Sequence, residues 1–62
     1  MNSQEAAHGI GRIVIYDDGY GTREEGTLVG VPNNANGRVR YSHNDASIKL
    51  TPLDKLSFLG GP

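Results

Sequence analysis

Gly26-Thr27-Leu28-Val29-Gly30-Val31-Pro32-Asn33-Asn34-Ala35-Asn36-Gly37-Arg38-Val39-Arg40-Tyr41-Ser42 decides the reading of this chain. Two runs rich in β-branched and aromatic residues flank a cluster of Pro, Asn and Gly. That is the pattern of two strands joined by a turn, with Asn-Gly chemistry at the end of the turn. The strands are expected over Gly26–Val31 and Arg38–Ser42, with a six-residue loop between them.

The pattern continues in both directions. Upstream, Gly11–Tyr16 reads as a first strand, and a nine-residue loop over Asp17–Glu25 opens with the turn sequence Asp17-Asp18-Gly19. Downstream, His43-Asn44-Asp45-Ala46 makes a turn and Ser47–Thr51 a fourth strand. Thr51-Pro52-Leu53-Asp54 reads as a short 3₁₀ turn, because Pro presets φ at its first position. Lys55–Leu59 closes the chain as a fifth strand. Residues 1–9 are expected as a loose tail, with one helical turn at Glu5–His8 ended by Gly9, and residues 60–62 as a frayed end.

Turn lengths fix an expected register, and a slip of one residue turns a whole strand over. A four-residue turn at 43–46 sets Ser42 opposite Ser47, Tyr41 opposite Ile48, Arg40 opposite Lys49 and Val39 opposite Leu50. The loop at 32–37 sets Val31 opposite Arg38, Gly30 opposite Val39, Val29 opposite Arg40 and Leu28 opposite Tyr41. Leu28, Val39, Tyr41, Ile48 and Leu50 then face inward, joined by Ile13, Ile15, Leu56 and Phe58. Gly30 lies among them, where a missing side chain permits a sharp bend. Val29, Val31, Arg38, Arg40, Lys49 and Thr51 face outward.

Composition sets the limits. Sixty-two residues make one small domain with a thin core. With no Cys, neither a disulfide nor a zinc-thiolate site supports it. A net charge of -1 argues against bulk electrostatic capture of nucleic acid or membrane. The longest apolar run is four residues, Ile13–Tyr16, and the first eight residues lack the features of a signal peptide, so a cytoplasmic protein is expected.

Five strands, a long first loop and a 3₁₀ turn before the last strand resemble an SH3-like or Tudor-like small β-barrel over roughly residues 10–59. The fold class expected is all-β, a single five-stranded barrel. The stretch Tyr16–Glu25, the first loop with the strand residue before it, holds four of the seven acids and two of the three tyrosines. Acids beside exposed aromatics suit capture of a basic peptide by ion pairing and cation–π contact, and the resemblance implies that same use of the loop. The leading expectation is therefore a non-enzymatic module for protein–protein interaction. Its contact residues would be Tyr16, Asp17, Asp18, Tyr20, Glu24 and Glu25, with the adjoining Val29 and Val31.

The alternative is nucleic-acid contact through Arg38, Arg40 and Lys49, a basic strand face able to hold phosphate. A third reading rests on resemblance to the plasmid-borne type II dihydrofolate reductases, small SH3-like barrels that build one active site in the pore of a homotetramer. Gly26-Thr27-Leu28-Val29-Gly30 resembles their second-strand run and Ile48-Lys49-Leu50-Thr51-Pro52 their Val-Gln-Ile-Tyr-Pro segment. Here Lys49 stands at the family's Gln, Thr51 stands at its Tyr, and its Trp is missing, so the groups that would bind folate and nicotinamide are absent. Neither a cofactor nor catalytic residues are expected. His8 and His43, one in the tail and one in a turn, do not make a metal site. The thin core and the outward Val29 and Val31, with Leu53, Leu59 and a short last strand, lead to the expectation of a homo-oligomer, a dimer in the first instance.

Overall fold

The computed structural model describes residues 1–41 and 47–60. The described residues are mainly β: five antiparallel strands in one sheet, one short helix and one 3₁₀ turn before the last strand. The strands are β1 (Ile13–Asp17), β2 (Arg23–Gly30), β3 (Asn36–Tyr41), β4 (Ile48–Pro52) and β5 (Leu56–Phe58), in the sheet order β4-β3-β2-β1-β5. The expected element order therefore stands, with the 3₁₀ turn at Leu53–Lys55.

The first residues are more ordered in conformation than a loose tail. Ser3–His8 form a helix, α1, and Gly9 caps its C-terminus. Asn2 starts it with a capping box. Its Oδ1 accepts from the Glu5 amide at 2.8 Å, and its own amide donates to Glu5 Oε1 at 3.2 Å. So short a helix is marginal alone; here Ala6 is fully buried in the core, and the Met1 amino group donates to the Leu53 carbonyl at 3.0 Å.

The inner face of the sheet is built around a glycine. Across four strands, Phe58, Val14, Gly26 and Tyr41 stand opposite one another in turn. A Cβ on Gly26 would lie 2.6 Å from Val39 Cγ1 and 2.8 Å from the Arg40 carbonyl oxygen. The missing side chain lets Val14 and Tyr41 close over the backbone. This corrects the expected facing of β1: Val14 is fully buried, whereas Ile13 is exposed and Ile15 half-buried. Four consecutive apolar residues carry no alternation, so the choice of face falls to the cross-strand neighbour. A second tight position is Gly37, whose Cβ would meet Leu28 and Leu53 at 3.0 and 3.1 Å; Gly30, where a bend is expected, lies at the register irregularity of β2.

Leu28, Val39, Tyr41 and Leu56 are buried as expected, joined by Leu53, Val14 and Ala6. The β2–β3 register places Leu28 opposite Val39 and Gly26 opposite Tyr41, two residues from the expected pairing, so each side chain keeps its face. A register shift between Leu28 and Gly30 absorbs the difference, with Val29 half-buried at the irregularity. The loop is shorter than six residues because Asn33 makes the turn. Its Oδ1 accepts from the Ala35 and Asn36 amides, both at 2.9 Å, and Asn36 and Gly37 already belong to β3.

The β3–β4 register is one residue away from the expected one. Arg40 stands opposite Ile48, Val39 opposite Lys49, Arg38 opposite Leu50 and Gly37 opposite Thr51. Ile48 and Leu50 therefore face solvent, Lys49 lies on the inner side and Thr51 is buried. Arg40 does not oppose Lys49. The reason is polar. Tyr41 is buried and its hydroxyl needs a partner, which it finds in Thr51 Oγ1 at 2.9 Å. The register expected from the turn would send Thr51 outward and leave that hydroxyl alone. The turn expected at 43–46 and the Ser42–Ser47 pair lie outside the described residues.

Candidate functional site

An open cleft of about 240 Å³ lies between β1, β2 and the end of β4, lined by Tyr16, Glu24, Tyr41, Lys49, Leu50, Thr51 and Pro52. Strand pairing assembles it. Tyr16 stands opposite Glu24 on β2 and opposite Leu56 on β5, which places the phenol and the carboxylate side by side on the inner face. Gly26, two residues along β2, leaves room for Tyr41 to approach. The rings of Tyr16 and Tyr41 meet edge to face, with centroids 6.5 Å apart and planes at 80°. Tyr41 is buried and Tyr16 half-buried.

Burial pushes the Tyr41 hydroxyl to a pKa above the ordinary phenol value; its bond to Thr51 works in the opposite sense, and the Glu24 carboxylate adds to the rise. Folding thus favours the neutral phenol. The stability this contributes is complete below the ordinary pKa of about 10 and is lost as pH rises toward the raised value. A melting series at alkaline pH should show a falling midpoint in wild type, and Tyr41→Phe should flatten that fall. An equal fall in both proteins would place the sensitivity elsewhere.

The loop beside the cleft is held by its own acids. Asp17 Oδ1 accepts from the Gly19 amide at 2.9 Å, and Asp18 Oδ1 accepts from the amides of Tyr20 at 2.7 Å and Thr22 at 3.2 Å. The Tyr20 amide is the main reason the Asp18 carboxyl is held below its usual pKa, with Lys55 of the 3₁₀ turn a minor contributor. Gly19 and Gly21 sit at φ of 83° and 99°, a region costly for other residues. Arg23 Nε lies 3.7 Å from Asp17 Oδ2, an exposed pair that adds little stability but continues the β1–β2 ladder to its end. The loop is consequently shorter than the nine residues expected.

The residues expected to form one protein-binding surface are divided. Tyr16 and Glu24 line the cleft. Asp17, Asp18 and Tyr20 lie in or beside the loop, and Tyr20 is almost wholly exposed. Glu25 points to the opposite face, across from Ile15. Val31, just beyond the end of β2, is half-buried and packs against the core. The second aromatic of the cleft is Tyr41, which sequence reading assigns to the core alone. Its hydroxyl was the available signal, since a tyrosine carries a polar end that an interior position must satisfy.

The expected basic trio is also divided. Arg38 and Arg40 share the outer face, while Lys49 lies on the cleft side. Lys49 and Thr51, at the positions that resemble the reductase Gln and Tyr, both line the cleft, and the Thr51 hydroxyl is engaged by Tyr41. Among the described residues, no three His, Cys, Asp or Glu side chains come together to hold a metal ion; His43 lies outside them. Among the same residues, no helix is long and apolar enough to cross a membrane. Compared with family models, with curated proteins and with solved structures, the chain matches none.

Proposed function

We propose that the chain is an SH3-like barrel, similar to Tudor-like modules, that acts without catalysis as a binding module and holds a cation-bearing segment of a partner protein in the Tyr16–Tyr41 cleft. The strand order β4-β3-β2-β1-β5, with the 3₁₀ turn before β5, supports the barrel. The observation that carries the function is the edge-to-face pair of phenol rings beside the Glu24 carboxylate in one open cleft. A lysine or arginine side chain entering there gains cation–π contact on the half-buried Tyr16 ring, which the buried Tyr41 backs, ~0.5–2 kcal/mol depending on desolvation, and an ion pair with Glu24. Asp17 and Asp18 at the neighbouring loop add negative potential that favours the encounter. Lys49 at the rim disfavours a segment with two adjacent cations and so sets spacing.

Selection of a random displayed-peptide library against the folded chain tests this. Enriched peptides should carry Lys or Arg. Tyr16→Leu, which keeps an apolar side chain in place, should weaken the best of them by roughly tenfold or more, in line with the loss of one aromatic anchor. Glu24→Gln should weaken it less, and Ile48→Asp, on the opposite face, should not change it. A selection without enrichment, or peptides indifferent to Tyr16→Leu, would contradict the proposal. So would salt-sensitive binding to DNA or RNA that Arg40→Ala abolishes.

A further inference from the structure

The outer face of the sheet carries an order that is its own counterpart under a twofold rotation. Ile13 on β1 stands opposite Thr27 on β2, Thr27 opposite Arg40 on β3, and Arg40 opposite Ile48 on β4. On either side of this row Ile15 stands opposite Glu25, and Arg38 opposite Leu50. Of these four strands the outer two, β1 and β4, are thus apolar on this face and the middle two carry charge, acid on β2 and base on β3; β5 lies beyond β1, with Ser57 opposite Ile15. Ile13, Ile48 and Leu50 keep 43%, 49% and 59% of their surface exposed, half of the large hydrophobic residues left exposed among the described residues. Exposed apolar residues gathered on one face and bounded by charge mark an interaction surface.

The charge pattern selects the occupant. A twofold axis parallel to the strands and midway between β2 and β3 lays β1 of one copy over β4 of the other, and β2 over β3. Isoleucine then meets isoleucine at both margins, Glu25 of one copy comes within side-chain reach of the other copy's Arg40, and every contact is made twice. A nucleic acid is served poorly by the same face: each of its two arginines stands directly beside an apolar residue of β4, Arg40 beside Ile48 and Arg38 beside Leu50, and Lys49 is turned away. A chain of 62 residues with no Cys to staple it also gains from covering such a surface. We infer that the outer face, centred on Ile13, Glu25, Arg40 and Ile48, is the surface through which two copies of this chain associate. This surface lies opposite the cleft, so dimerisation leaves the cleft open.

Sedimentation equilibrium across a wide concentration range, with circular dichroism to confirm folding, tests the inference. Wild type should approach twice the chain mass. Ile48→Asp should stay at one chain mass with an unchanged spectrum, because the residue is exposed within a single copy. Glu25→Arg and Arg40→Glu should each weaken association by roughly tenfold or more, and the double variant should recover most of the loss, as expected for charges that meet across an interface. A single-chain mass at every concentration would overturn the inference. So would a dimer indifferent to Ile48→Asp, or a double variant no better than its parents. Binding of a DNA oligonucleotide at low salt by a chain that stays monomeric would assign the face to nucleic acid instead.

Discussion

Leu28→Ala should leave most of the chain unfolded at 25 °C. Leu28 is fully buried at the centre of the sheet, opposite Val39 and against Gly37. Truncating a buried leucine costs ~2–5 kcal/mol, because the cavity closes only in part. A core of this size supplies about 3–5 kcal/mol in total. Leu50→Ala is the control, and it should cost under about 0.5 kcal/mol when measured on single chains, as surface changes do. Urea titrations followed by circular dichroism compare the two. If Leu50→Ala proved the more damaging, the facing of β4 would be inverted.

The second large effect is expected from one methyl group. Gly26→Ala places a Cβ 2.6 Å from Val39 Cγ1 and 2.8 Å from the Arg40 carbonyl oxygen. The valine can rotate, but the carbonyl belongs to the backbone of β3 and moves only if the β2–β3 pairing moves. Overpacking of this kind costs about 1–3 kcal/mol, occasionally more, and here it also pushes Tyr41 away from Tyr16. Gly30→Ala should behave oppositely. Its Cβ would come no nearer than 3.9 Å to Arg38, an ordinary contact. Removing glycine freedom from the unfolded chain then stabilises by ~0.4–1 kcal/mol. Thermal melts of both variants check the contrast, and a tolerated Gly26→Ala would show that the inner row is looser than described.

The strand order of elements was legible because β-branched runs and turn residues alternate along the chain, and each run was long enough to pair. The face of each strand was less so. β2 and β3 kept their facing because the error in their register was two residues, an even number. β4 lost its facing because the error was one. Hydropathy in Ser47–Thr51 favours the other register, since Ile48 and Leu50 are the more apolar set. The deciding contact is a hydrogen bond between Tyr41 and Thr51, which becomes visible only when burial of Tyr41 is taken to demand an acceptor or donor. In β1 the run Ile13–Tyr16 is apolar throughout, so alternation was silent and Gly26 on the neighbouring strand decided. The helix had a readable signature in Asn2 and Glu5, three residues apart, yet its stability comes from the burial of Ala6. Two of the seven residues lining the cleft, Tyr16 and Glu24, were legible as part of an acidic, aromatic stretch. Tyr41, Thr51 and Pro52 reach it through tertiary pairing alone.

Both functional surfaces depend on the β3–β4 register. It puts Lys49 and Thr51 at the cleft and Ile48 on the outer face, with Leu50 beside Arg38 and also bordering the cleft. A nuclear Overhauser spectrum of the isotope-labelled chain tests it most directly, because residues directly opposite in an antiparallel pair have Cα atoms only about 4.5–5.5 Å apart. Backbone cross-peaks should connect the strands in the alignment Arg40 with Ile48, Val39 with Lys49 and Arg38 with Leu50. Cross-peaks in the alignment Arg40 with Lys49 and Val39 with Leu50 would contradict it, returning Leu50 to the core and dissolving both the cleft and the outer face as described.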